Sequence, residues 1–297
     1  MNFRLSDELT AALRSKQPLV ALESTVISHG LPYPQNLETA RRLESVVREN
    51  GAIPATIAVL KGDICVGLSD SEIEFLATGK NIRKISRRDL AIAAAKGLDS
   101  ATTVATTSFI AHKAGIKVFA TGGIGGVHRG YSSDVSADLV ELARTPIVIV
   151  CSGPKIVLDL PATREWLETF GITVLGWQCD KMPAFYAPSS GLPVDERVES
   201  ADEVAEIVRA RDDLGLTNAI VVTVPVPRDS EIDSVELEKL LAELVRSASD
   251  QNITGKNVTP FLLSELSTRT GGRTLISNIA LLENNAFVAA EIAKALV

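Results

Sequence analysis

The segment from Lys117 to Lys155 restricts the fold of this chain more than any other. A β-branched run, Ile116 to Ala120, is followed by five glycines in nine residues (Gly122, Gly123, Gly125, Gly126, Gly130). A second apolar run, Ile147 to Cys151, follows a short periodic stretch. That many glycines directly after a strand mean a backbone that turns sharply and lies close to something. The second run shows no polar alternation, so it reads as a strand buried on both faces, as in a parallel sheet with helices on either side. In open α/β sheets ligands bind beyond the carboxyl ends of the strands. The loop therefore brings His128, Arg129, Asp134 and Asp138, and the next strand brings Lys155, towards one crevice. A tight turn with no ligand is the competing reading of the glycines.

Elsewhere apolar runs and helical periodicity keep alternating. Strands are expected at 18–22, 53–60, 64–67, 82–85, 172–176 and 219–224. Helices are expected over 37–47, from Ser69, from Ser86 to Lys96, up to Gly115, from Ser136 towards Pro146, over 164–170 and 203–211, and from Ser234 onward with an interruption at 255–260. Lys61-Gly62 makes 53–67 a hairpin, and Ser69 with Glu72 has capping-box spacing. Thr102 to Thr107 reads as a connector. The 297 residues contain no repeat and no linker, so one α/β domain spanning 1–297 is the economical reading. With 45% hydrophobic residues the core is sizeable, and the net charge of -7 argues against nucleic acid or an anionic membrane as partner. Three cysteines without a C-x-x-C pair, no signal-like N-terminus and no run of membrane length suggest a soluble cytoplasmic protein.

The glycine loop fails the dinucleotide fingerprint, because His128 stands where the third glycine belongs, and no Lys-Ser or Lys-Thr follows at P-loop spacing. What remains is an acid and an amine at strand ends. Glu23 closes the run 18–22 beside Ser24 and Thr25, and Lys155 follows Cys151-Ser152-Gly153-Pro154. A lysine in an apolar site among other cations is a usable amine nucleophile, which points to Schiff-base chemistry on a sugar aldehyde. Lys84, Arg87 and Arg88, where a strand gives way to a helix start, favour an anion, and Ser136 at another helix start could cap it or hold a phosphate. Asp134 with waters would suit a hard cation such as Mg2+ or Mn2+. Zinc fits poorly, since His29, His112 and His128 lack ligand spacing. The amides Asn278, Asn284 and Asn285 interrupt an apolar helix and need partners, which a ligand could supply.

Longer motifs carry a resemblance. Val20-Ala-Leu-Glu-Ser-Thr-Val-Ile-Ser-His-Gly30, Pro54 to Ala58, Lys84-Ile-Ser-Arg-Arg-Asp89, Phe119 to Gly130, Asp134-Val-Ser-Ala-Asp138, Cys151-Ser-Gly-Pro-Lys155 and Thr259-Pro-Phe-Leu-Leu263 resemble the pseudouridine-5'-phosphate glycosidase, or indigoidine synthase A-like, family. The resemblance implies a three-layer α/β/α sandwich around a mixed, largely parallel sheet, a homotrimer, and one Mn2+ per subunit. It also implies reversible cleavage of pseudouridine 5'-phosphate to uracil and ribose 5-phosphate. Lys155 would be the nucleophile and Glu23 the proton donor, with Asp134 as metal ligand. Lys84, Val104, Ser136, Ala137 and Asp138 would contact substrate, and Thr121 and Asn278 would face the uracil. Ser152 and Pro154 stand where other members carry small residues, and the N-terminal lead-in is short.

A base joined through carbon offers no leaving oxygen or nitrogen to protonate, so a covalent route through a lysine imine has a physical rationale. A sugar-phosphate aldolase would share Lys155 but need no metal and release no uracil. A phosphosugar-binding regulator would leave Glu23 idle. A kinase supplying the phosphorylated substrate is expected on a separate chain.

Overall fold

The structure, a computed structural model, describes residues 3–251, 253 and 258–297. Its strands are, in chain order, β1 (Phe3–Leu5), β2 (Leu19–Glu23), β3 (Ile53–Leu60), β4 (Asp63–Val66), β5 (Arg83–Ile85), β6 (Ser100–Thr102) and β7 (Val118–Ala120). They continue with β8 (Val127–His128), β9 (Tyr131–Val135), β10 (Val148–Cys151), β11 (Leu158–Asp159), β12 (Thr173–Trp177), β13 (Glu196–Val198) and β14 (Ile220–Thr223). Nine of them form the path β1-β4-β3-β2-β7-β10-β14-β12-β13, with β6 against β3 and β5 against β6. Every pair is parallel except β3 with β4 and β3 with β6, so the sheet is mixed and largely parallel, as expected.

The missing polar alternation in β2 and β10 has a direct cause. Val20, Leu22, Val148 and Val150 point into one apolar cluster, and Leu19, Ala21, Ile147, Ile149 and Cys151 into another. Each face is covered by helices: Gln35–Glu49, Ala201–Asp213, Ser234–Asp250 and Arg273–Ala295 on the first, Asp7–Arg14, Val104–Lys113, Ala137–Leu142 and Leu160–Thr169 on the second. Both faces of each central strand are thus withdrawn from water, contributing roughly 1.5–3 kcal/mol per large apolar side chain. This is the three-layer sandwich.

The expected hairpin of β3 and β4 turns through Lys61 and Gly62, both at positive φ (51° and 86°), the geometry of a type I′ turn. Ser69 and Glu72 form the expected capping box before the helix Asp70–Thr78. Two expectations need correction. Thr102–Thr107 is not a connector: β6 ends at Thr102 and the helix starts at Val104, because the buried Thr102 hydroxyl donates to the Ile57 carbonyl (2.8 Å), holding the segment in the sheet. Of the interruption expected at 255–260, residues 255–257 lie outside the described ones, and Val258, Thr259 and Pro260 open the helix Val258–Arg269. Among the described residues no helix is long and apolar enough to cross a membrane.

Candidate functional site

Adjacent parallel strands β2, β7 and β10 deliver Glu23, Thr121 and the Ser152–Lys155 loop to the same edge of the sheet. The loop after β7 and the loop after β10 are stitched together. Ser152 N–H donates to Gly122 O (2.9 Å), Ile124 N–H to Gly153 O (3.1 Å), and Lys155 N–H to Ile124 O (3.1 Å). Gly153 takes a left-handed φ of 81°, which lets the chain reverse before Pro154 aims Lys155. The closeness foreseen for the glycines is closeness to protein. A side chain on Gly125 would lie 2.7 Å from Asp138 Oδ2 and collide with Ser136, while the Gly125 N–H itself donates to Asp138 (2.8 Å).

These loops, β5 and the starts of two helices enclose a cavity of about 390 Å³. Glu23, Lys84, Val104, Asp134, Ser136, Ala137, Asp138 and Lys155 all line it, so most of the expected site residues meet in one place. Asp138 clamps the walls: its carboxylate accepts the Ala105 N–H (2.9 Å) as well as that of Gly125, and its own N–H donates to Ser136 Oγ (3.2 Å). Thr25, Ser86, Arg88, Thr103, His128 and Trp166 also face the cavity. His128 and Arg88 were visible as charge in the loop and at the helix start. Trp166 carried no sequence signal, because its helix reads as an ordinary amphipathic one.

Glu23 is only 9% exposed, and burial pushes its carboxyl above the usual carboxylate range, against the pull of the Lys155 ammonium and the Thr121 hydroxyl. Thr121 Oγ1 donates to Glu23 Oε1 and is itself 2% exposed, so it stands behind the acid and outside the cavity lining. Lys84 keeps part of its surface in water. Its ammonium is nonetheless held below the ordinary lysine value, first by partial desolvation and then by the Lys155 charge, because it projects into the cavity mouth. The site thus combines a carboxyl biased towards its protonated form with two amines, one of which depresses the other.

Asp134 sits on the small sheet β11-β8-β9 at the rim, with 42% of its side chain exposed; His128 Nδ1 lies 3.4 Å from its Oδ2 and 3.1 Å from its carbonyl. Among the described residues no three His, Cys, Asp or Glu side chains converge as a metal cage. Asn278 lies in a second cavity of about 420 Å³ with His29 and Tyr186. Burial, and after it the Lys84 charge, push the His29 imidazole below its usual range, and among the described residues none lines both cavities. Asn284 donates to the Pro225 carbonyl (3.2 Å) and Asn285 to that of Thr121 (2.9 Å), so these two amides find their partners in the protein. A larger groove of about 590 Å³, between Arg42 and Phe287, contains no nucleophile or buried acid.

The sequence profile of a family described as indigoidine synthase A like protein matches residues 8–295. The chain belongs to the indigoidine synthase A-like family. Relatives named pseudouridine-5'-phosphate glycosidase mark it as an enzyme of that family. One from Caldanaerobacter subterraneus subsp. tengcongensis is 52% identical over 97% of this chain and 95% of its own length. Another, from Petrotoga mobilis, is 50% identical over 98% of this chain and 95% of its own. Among solved structures, an indigoidine synthase A-like protein from Thermotoga maritima superimposes with a TM-score of 0.90 at 39% identity, covering 99% of this chain and 96% of that one. A prealnumycin C-glycosynthase in complex with ribulose 5-phosphate does so with 0.93 at 38%, covering 100% and 97%. These two solved structures thus share its fold.

Proposed function

We propose that this enzyme reversibly cleaves the C–C glycosidic bond of pseudouridine 5'-phosphate, giving uracil and ribose 5-phosphate, in pseudouridine catabolism. The observation that carries the reading is a buried acid, Glu23, facing the same cavity as the strand-end amine Lys155. Support comes from relatives about half identical whose names state this activity, and from a C-glycosynthase neighbour whose structure holds a pentulose phosphate.

In the forward direction the Lys155 amine attacks the ribose C1, and the ring oxygen leaves as a hydroxyl after taking a proton. The nitrogen lone pair then forms C=N as the C1–C5 bond breaks. That bond's electrons pass to uracil C5, which receives the Glu23 proton. Water adds to the imine, freeing ribose 5-phosphate and the amine. A carboxyl whose burial favours the protonated form suits the donor role.

In this reading the phosphate sits against the Lys84 ammonium and the helix starts at Val104 and Ser136–Asp138, which line the same cavity. Thr121 acts on the base through Glu23, and Asn278, in the second cavity, carries an amide donor and acceptor of the kind uracil would need. Asp134 is the residue proposed to hold Mn2+, one per subunit. A single half-exposed carboxylate fits a hard cation that keeps most of its water and does not fit zinc. Bound there, the ion would supply positive charge beside the phosphosugar. A homotrimer is part of the same reading, and the exposed Ile276 and Phe287 of the larger groove offer apolar surface for assembly.

Incubation with pseudouridine 5'-phosphate and Mn2+, followed by chromatography, should show uracil appearing in step with ribose 5-phosphate. Release of other fragments without a metal requirement would favour an aldolase, and binding without turnover a regulator; either result would overturn the proposal.

A further inference from the structure

Asn285 lies in the middle of the apolar helix Arg273–Ala295 and is fully buried, at 0% exposure. A helix face serving only stability would carry Leu there, because a buried amide costs free energy unless each polar group is matched. Here it is matched. Nδ2 donates to the Thr121 carbonyl at 2.9 Å and lies 3.2 Å from Ser152 Oγ, and the Ser152 hydroxyl reaches Oδ1 at 3.3 Å. A carbonyl can only accept, so the Thr121 contact fixes which end of the amide is nitrogen.

Both partners lead to the site. Thr121 donates its hydroxyl to Glu23, and Ser152 opens the loop that ends three residues later at Lys155. Asn285 itself does not line the cavity, so it touches no ligand there. The backbone bonds between the two loops hold them to one another. The amide adds a tether from each to a helix whose Leu281, Val288 and Ile292 are anchored in the core.

We propose that Asn285 is a positioning residue that sets Glu23 and Lys155 relative to each other, acting on the acid through Thr121 and on the amine through Ser152. What the two groups do rests on the glycosidase reading; their coupling through one amide does not.

Asn285→Ala is expected to lower kcat about tenfold to a hundredfold, with KM changed by less than about twofold, as misplacement of reacting groups does. A readout free of turnover goes with it. Glu23 is faced by Lys155, Thr121, Asp138 and Lys84, and the Thr121 hydroxyl favours its ionised form. Disordering Thr121 should therefore move the Glu23 titration, followed by carboxyl 13C NMR, to higher pH. A folded Asn285→Ala protein with unchanged kcat and unchanged Glu23 titration, and only a lower Tm, overturns the proposal. Should that variant not fold, Ser152→Ala leaves the Thr121 bond in place. It should slow borohydride trapping of ribose 5-phosphate on Lys155 severalfold without moving the Glu23 titration, and trapping at the wild-type rate overturns the proposal. A wild-type enzyme that releases no uracil, while Glu23 still shifts in Asn285→Ala, refutes the functional reading and leaves the positioning role standing.

Discussion

Glu23 owes its character to burial, and the sign of its pH dependence follows. Its folded pKa lies above its unfolded value, so at pH values between the two the native state holds a proton that the unfolded chain has lost. Stability from this group is complete below the unfolded value and falls as pH rises through the folded one. Activity in the cleavage direction should fall over the same upper limb, as the donor ionises. Thr121→Val removes the hydroxyl that favours the carboxylate, so the falling limb of kcat should move to higher pH; a limb that stays put or moves down would contradict the assignment. Glu23 and Lys155 were legible in the sequence because Glu23 directly follows an apolar run and Lys155 comes a short turn after another, and the ends of both runs face the crevice. Asn285 was legible only as an oddity. Sequence shows that a buried amide needs partners, but not that they are a carbonyl and a hydroxyl from two distant loops.

The elements around the end proposed for the phosphate are locked by a pair built on Arg87, one of the three cations that the sequence suggested would favour an anion. Arg87 Nη1 donates to both oxygens of Glu141 (2.8 and 3.0 Å), and its guanidinium lies 4.3 Å from the Phe109 ring centroid. Glu141, whose side chain is 4% exposed, also accepts the Thr145 hydroxyl at 2.6 Å. This ties the β5 end to the helices that begin at Val104 and Ala137. Arg87→Ala should cost roughly 1–3 kcal/mol in denaturant unfolding, less than a fully buried pair because Arg87 is partly in water. It should raise KM more than it lowers kcat. In Gly125→Ala the new Cβ meets Ser136 and Asp138, so weaker ribose 5-phosphate binding by calorimetry is expected, and unchanged affinity would count against the clamp. The long central strands were readable from their unbroken apolar runs. Strands β6, β11 and β13 are two or three residues long and pair with strands well separated in sequence, which no local pattern announces.

For the whole molecule, the three layers followed from strands apolar on both faces, and the crevice from where parallel strands end. The proposed metal is the part of this reading least tied to the fold. Chelation should abolish turnover while leaving Tm within a few degrees, because one rim carboxylate holds little of the structure together, and Asp134→Asn should lose Mn2+ heat in calorimetry. The central claim is covalent. Enzyme mixed with ribose 5-phosphate and reduced with borohydride, then digested and weighed by mass spectrometry, should carry the reduced pentose phosphate on the Lys155 peptide alone. A label on another lysine, or no label while uracil is still released, would contradict the account.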